Sequence, residues 1–211
     1  MYNEQESLDA LFMELSGLFS QEAKTEIIFI NDGSSDNTLS ILESKIKNYP
    51  SWKVINLYRN YGKSVALQAG FDNSKGEIIA TMDADLQDNP KEIYNLIEEL
   101  EKGYDVVSGW KKNRKDPLEK KIASKIFNFF VRVFSGLKIH DSNCGIKVFK
   151  REVTEMLTLY GGRHRYIPLL AHQKKFLISE VVVDHREREF GVSKYGVKRY
   201  SDGFFDFLTI L

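Results

Sequence analysis

Along the first half of the chain, the spacing of apolar residues switches repeatedly between two periods. Short runs rich in β-branched and aromatic residues, such as Ile27-Ile28-Phe29-Ile30, alternate with longer stretches whose apolar positions recur every three to four residues. The pattern predicts helices over 6–19, 37–47, 63–73 and 90–102, and strands over 26–30, 53–58, 77–82 and 105–109. Alternation of this kind builds an α/β domain, with a mainly parallel sheet flanked by helices. Ligands of such sheets sit beyond the carboxyl ends of the strands. Asp32 follows one predicted strand and Asp83 closes another, so both are expected on that rim.

Past Gly109 the pattern loosens. A long helix is predicted over 118–137, with Leu118, Ile122, Ile126, Phe130, Val133 and Leu137 on one stripe and Phe127, Phe129 and Phe134 widening it. Its other side carries Lys120, Lys121, Lys125 and Arg132. A cationic face opposite an aromatic stripe suits a membrane interface, and an amphipathic helix equally suits packing on its own sheet. A further strand is predicted over 146–149.

Composition narrows the class. A chain of 211 residues with 42% hydrophobic content can bury one α/β core. Lys plus Arg and Asp plus Glu both total 30, so no global field recruits nucleic acid. Cys144 is the only cysteine, which excludes an internal disulfide and suits a reducing compartment. The polar opening Tyr2-Asn3-Glu4-Gln5-Glu6 does not read as a secretory leader. The apolar run 204–211 is far shorter than the roughly 20 residues that cross a bilayer. The expected organisation is a catalytic domain over 1–200 and, over 201–211, the start of a truncated membrane-associated segment.

The candidate chemistry centres on Thr81-Met82-Asp83-Ala84-Asp85-Leu86-Gln87-Asp88-Asn89. In an extended segment, residues two apart share a face, so Asp83, Asp85 and Gln87 can point into one crevice while Ala84 and Leu86 pack behind. Mg²⁺ or Mn²⁺ needs only one or two carboxylates when substrate phosphates complete its shell. A solvated turn is the competing reading. Near the C-terminus, Arg186 and Arg188 share a face, and Gly191 precedes Ser193-Lys194, as in a loop able to fold over phosphates. The alternating Arg186-Glu187-Arg188-Glu189 also fits a self-compensated surface strand. None of His140, His164, His172 and His185 has metal-ligand spacing, so each is expected to be structural.

Several motifs in order resemble one family. Tyr2-Asn3-Glu4, Asn31-Asp32-Gly33-Ser34-Ser35-Asp36, Asn60-Tyr61-Gly62-Lys63, Asp83-Ala84-Asp85-Leu86-Gln87, Asp141-Ser142-Asn143-Cys144-Gly145 and the segment 186–195 are similar to those of family 2 glycosyltransferases. The resemblance is to the polyprenyl-phosphate subgroup, which includes dolichyl-phosphate mannose synthases and bactoprenol glucosyltransferases. It implies a glycosyltransferase A-type domain that moves a hexose, with inversion, from a UDP- or GDP-sugar to a polyprenyl phosphate at the cytoplasmic face of the membrane. By the same resemblance Asp32 meets the nucleotide base, and Tyr2, Glu4 and Lys63 line the donor site. Asp83 lies near ribose or metal, Asp85 ligates the metal and Gln87 assists. Asp141 stands near the reacting carbon, and Arg186, Arg188, Ser193 and Lys194 close on the phosphates.

A phosphate acceptor is already ionised near neutral pH, so orientation matters more than a base. Asp36 also reads as a simple turn and helix cap. The strand that precedes Tyr2-Asn3-Glu4 in the family has no counterpart here, so the sheet is expected to lack its first strand. A soluble transferase with a saccharide or protein acceptor and a non-catalytic nucleotide-binding fragment stay open, as does assembly into a homo-oligomer.

The basic segment yields a first test. Arg188→Ala and Lys194→Ala should each lower sugar transfer by about tenfold or more, the loss expected of one charge-assisted phosphate contact. Nucleoside competition should change far less than nucleoside-diphosphate competition. Wild-type transfer with normal diphosphate binding in both variants would make the segment structural.

Overall fold

The computed structural model describes residues 1–112 except Gln21 and Ala23, residues 136–187, and Asn128, Phe129, Arg132, Val133 and Ile210. Arg188, Ser193, Lys194 and most of the helix expected over 118–137 lie outside the described residues. The elements run α1 (Leu8–Phe19), β1 (Ile27–Asn31), α2 (Thr38–Lys45), β2 (Trp52–Asn56), α3 (Lys63–Asn73), β3 (Ile78–Thr81), α4 (Glu92–Leu100) and β4 (Val106–Trp110). They continue with β5 (Lys147–Lys150), α5 (Arg151–Met156), α6 (Ile167–Gln173) and β6 (Ile178–Val182). Each helix and strand expected up to 110 is present, with ends shifted by up to about two residues, as frayed termini allow. The helix expected over 37–47 ends instead in a 3-10 turn, Ile46–Asn48.

Strand pairing divides the sheet. β1 and β2 form a parallel pair, and a separate four-stranded sheet has the order β3-β5-β4-β6. β5 runs antiparallel to both β3 and β4, whereas β4 and β6 are parallel. Hence β3, β4 and β6 point one way and β5 alone runs against them. The reversal brings the start of β5 to the ends of its neighbours, since Lys147 lies opposite Thr81 on one side and Ser108 on the other. The edge of β1 away from β2 is met by Met1, whose ammonium donates to Ile30 O at 2.6 Å and whose carbonyl accepts from Asp32 N at 2.8 Å. Met1 therefore runs alongside the end of β1.

The cores follow from the periods. Successive strand residues face opposite sides. Val106 and Phe149 pack with Phe71, Ile79, Val153 and Ile167 beneath α5 and α6, while Val107 and Val148 pack with Leu96, Leu100 and Ile146 beneath α4. Burial on both faces explains the unbroken apolar runs of these strands. α1 uses its helical stripe, Leu8, Leu11, Phe12, Leu15 and Phe19, to cover β1 and β2. Phe12 stacks on Phe29 with ring centroids 4.8 Å apart, and Trp52 lies 5.5 Å from Phe12.

One close approach depends on a missing side chain. Gly33 has φ +64°, and a Cβ there would fall 2.3 Å from the carbonyl carbon of Arg59. Gly33→Ala combines a left-handed backbone with a clash against main chain and should cost about 2 kcal/mol or more in denaturant unfolding. A loss below the error of the measurement would show that the two loops part without penalty.

Candidate active site

Beyond β3 the chain enters the acidic loop. Met82, Ala84 and Leu86 pack against the α1 core, and the chain bends through 84–86 instead of continuing as a strand. Leu86 has φ +61°, unusual for a bulky residue, and its side chain is buried. The Ser7 hydroxyl, 3.2 Å from Ala84 O, fastens the loop to the start of α1. Gln87 N lies 3.2 Å from Asp85 Oδ1, which helps to fix the Asp85 carboxylate.

Asp83 is the centre of charge. Lys63, the first residue of α3, donates to Asp83 Oδ1 at 2.5 Å. Burial alone would raise the Asp83 carboxyl, but the Lys63 ammonium, with Lys111 and Lys147 beyond it, holds it far below the usual carboxylate range. Gly145 makes this geometry possible: a Cβ there would lie 2.4 Å from Asp83 Oδ2 and 3.0 Å from Asp88 Oδ2. Thr81 Oγ1 donates to Gly145 O at 3.1 Å and keeps the start of β5 against the end of β3.

A buried layer lies behind. Lys111 and Asp88 form an ion pair at 2.6 Å with both side chains inside. Burial opposes charge on Lys111, yet Asp88 outweighs it and raises the amine above its ordinary value. Lys147, on β5, is buried and donates to Cys144 O. Burial pushes the Lys147 amine down, against the pull of Cys144, Asp141 and Asp83. Burial likewise pushes the Cys144 thiol up to about 12, so it remains a thiol near neutral pH.

The expected nucleoside side is assembled differently. Asp32 is buried, and its two oxygens accept from the backbone of Tyr61 at 2.8 Å and Gly62 at 2.9 Å. It thereby ties the end of β1 to the turn that launches α3 and Lys63. Asn3 N donates to Ser34 Oγ and Glu4 N to Thr38 Oγ1, both at 2.9 Å, so Tyr2-Asn3-Glu4 straps the same loop. Asp36 accepts from Thr38 N at 3.0 Å, the turn role read for it in the sequence.

Other expected residues are also located. The backbone of Arg186 lies beside Gln87, with Arg186 N donating to Gln87 O at 2.9 Å, and His185 bridges to Asp88. The basic segment thus begins against the acidic loop. The guanidinium of Arg186 itself forms an ion pair with Glu14 on α1 at 2.6 Å. Asp141 is buried, its carbonyl accepting from Ser108 Oγ at 3.3 Å, and it adjoins Cys144 and Lys147 electrostatically. His140 pairs with Glu180 and stacks on Trp110, a structural role as expected.

Asp88, Lys111, Gly145 and Lys147 were not singled out from the sequence. Asp88 and Gly145 lay within quoted motifs, and Lys111 just past the strand expected over 105–109. The signal for Lys147 was a lysine inside a predicted strand.

Among the described residues no group of three or more His, Cys, Asp and Glu side chains gathers as a metal cage. An ion bound here would need phosphate oxygens as well. The donor set fits that case, being carboxylates and a carboxamide, all oxygen ligands of the kind Mg²⁺ and Mn²⁺ take. Asp83 and Asp88 approach one point beside Gly145, and Asp88 Oδ2 accepts no hydrogen bond among the described residues.

Comparison with known proteins is consistent with this arrangement. Residues 1–158 match the family described as glycosyl transferase family 2. The whole chain is 36% identical to a dodecaprenyl-phosphate galacturonate synthase of Rhizobium johnstonii and covers 64% of it. It is 38% identical to an undecaprenyl-phosphate 4-deoxy-4-formamido-L-arabinose transferase of Yersinia pestis and covers 65% of it. The chain thus spans somewhat under two thirds of the length of these relatives. In fold it is similar to glucosyl-3-phosphoglycerate synthase of Mycobacterium tuberculosis, with a TM-score of 0.72 at 18% identity over 100% of this chain and 76% of the other. A mannosyltransferase of Pyrobaculum calidifontis, solved with GDP-mannose and Mn²⁺, gives 0.71 at 17% over 99% and 62%.

The glycine and the loop carboxylate make separable tests. Gly145→Ala should displace the Asp83 carboxylate and weaken Mn²⁺-dependent nucleoside-diphosphate binding by about 10–100-fold with the fold retained, and Asp85→Asn should cost at least as much. Titration calorimetry with and without Mn²⁺ reads both. Unchanged Mn²⁺-dependent affinity in Asp85→Asn would remove the acidic loop from the site.

Proposed function

The chain belongs to glycosyl transferase family 2, and from that footing we propose that it transfers a hexose, with inversion, from a UDP- or GDP-sugar to a polyprenyl phosphate at the cytoplasmic face of a membrane. The observation that carries the proposal is the acidic loop at the end of β3, whose Asp83 is kept ionised by Lys63 beside a glycine that leaves it room. The names of the relatives, at 36% and 38% identity, support a polyprenyl-phosphate acceptor.

The reaction joins an acceptor phosphate oxygen to the anomeric carbon and breaks the bond from that carbon to the nucleoside diphosphate. The acceptor oxygen is already ionised, so the site must align it behind the departing bond. Asp141, buried at the approach to β5, acts in that alignment, and Arg188 with Ser193 and Lys194 meets the phosphates. Lys63 fixes Asp83, while Asp32 and the Tyr2–Glu4 strap shape the nucleoside end. A divalent ion on Asp83 and Asp85, assisted by Gln87, would supply Lewis-acid stabilisation of charge on the leaving diphosphate.

Membrane contact has its own support. Phe129 and Val133 stand one helical turn apart and are 55% and 59% exposed, with Arg132 exposed between them. Among the described residues no helix is long and apolar enough to cross a membrane. An exposed apolar pair beside a cation suits contact with a lipid surface.

The test incubates the purified chain with UDP- and GDP-sugars and Mn²⁺, with polyprenyl phosphate in anionic vesicles or with soluble saccharide acceptors. Sugar should pass to the lipid fraction, and the protein should sediment with anionic vesicles. The electrostatic part should fade as the Debye length shrinks from about 10 Å at 0.1 M salt to about 3 Å at 1 M. Phe130→Glu, or neutralising Lys121 and Lys125, should reduce sedimentation. A folded chain that ignores vesicles and glycosylates only soluble acceptors would overturn the lipid reading, and one that binds nucleotide without turnover would be a non-catalytic fragment.

A further inference from the structure

Beside the site, and outside the chemistry assigned to it, lies a buried polar pair. Ser64 is the second residue of α3, next to Lys63, and is 1% exposed. His164, on the 3-10 turn Arg163–Tyr166, is 8% exposed. The two meet twice. His164 N donates to Ser64 Oγ at 3.0 Å, and Ser64 Oγ lies 2.9 Å from His164 Nδ1. The hydroxyl oxygen accepts from the backbone and shares a second hydrogen bond with Nδ1, so one side chain meets both the main chain and the ring of His164.

The turn that carries His164 reaches both sides of the site. Arg165 O accepts from Ser142 Oγ at 2.9 Å, one residue after Asp141, and nearby Leu159 N donates to Gln68 Oε1 of α3 at 2.7 Å. Buried polar groups are costly unless bonded, so this pairing strongly specifies one position for the start of α3. That start is the residue whose ammonium spans to Asp83 at 2.5 Å. A displacement of α3 would move the backbone that carries Lys63 relative to Asp83.

We propose that the Ser64–His164 pair is a positioning device: it holds the first turn of α3 so that Lys63 stays on Asp83, and the Arg163–Tyr166 turn links that setting to the Asp141 loop. Its effect on transfer rests on the role proposed for Asp83; the coupling of His164 to Lys63 does not.

The test reads Lys63 itself. Amine-reactive labelling of Lys63, quantified by peptide mass spectrometry against Lys102, whose side chain is 67% exposed, is compared in wild type, His164→Ala, Ser64→Ala and His164→Asn. Asp83→Asn sets the level reached when Lys63 loses its ion pair with the Asp83 carboxylate. Relative labelling of Lys63 should rise about fivefold or more in both alanine variants, and His164→Asn, whose carboxamide oxygen can accept from Ser64, should return it close to wild type. Thermal midpoints are recorded for each variant. An unchanged Lys63-to-Lys102 ratio in the alanine variants, with only a lower midpoint, would make the pair purely structural and overturn the proposal. If His164→Ala does not fold, Ser64→Ala decides by the same ratio. Failure of the wild type to bind any nucleotide sugar would count against the role of Asp83 and leave the labelling result standing.

Discussion

The carboxylates at the end of β3 can be held close together only because lysines are held close to them. Asp83 and Asp88 converge beside Gly145, which sets two like charges close together. Lys63, Lys111 and Lys147 supply the compensating charge, each from a different element: the start of α3, the end of β4 and the start of β5. The topology follows from this need as much as from the hydrophobic pattern. A reversed β5 is what delivers Gly145 and Lys147 to the rim where β3 and β4 end. Breaking one partner of the buried Lys111–Asp88 pair leaves an uncompensated charge, so that pair is not interchangeable with an ordinary surface ion pair.

Much of this was legible in the residues because it rests on period and on strand ends. The alternation of β-rich runs with helical spacing located β1 through β4 and α1 through α4, and Ala84 and Leu86 pack inward as expected. The motifs pointed to the family that the comparison identifies. Pairing direction was not legible, because nothing in Lys147–Lys150 distinguishes a parallel from an antiparallel neighbour. α5 and α6, of 6 and 7 residues, are under two turns long and too short to register a helical period. A lysine in a strand normally signals a solvent face, so the burial of Lys147 has no local signature. Arg186 read as a phosphate ligand from its spacing, yet its ion pair with Glu14 depends on how α1 lies across the chain.

Asp32 shows how one residue can satisfy two readings. The sequence presents it as a carboxylate at a strand end, available to a ligand. The structure uses both of its oxygens to hold the turn before α3 through the backbone of Tyr61 and Gly62. A carboxylate oxygen has more than one lone pair, so anchoring the loop and receiving a further donor are compatible. The anchoring explains why Gly33 must approach Arg59 so closely: the two loops are interlocked along their main chains.

Leu86 carries a wider consequence. Its backbone sits in the left-handed region, and what holds it there is a side chain sunk into the aromatic and aliphatic cluster of α1, β1 and β2. The acidic loop therefore takes its shape from a helix that presents no ligand of its own. In a population of natural or laboratory variants, substitutions at Leu8, Leu11 or Leu15 would ordinarily be filtered for folding alone; here they would also be filtered for the placement of Asp85 and Gln87. Drift in the packing of α1 and drift in the shape of the acidic loop become a single, inseparable trait.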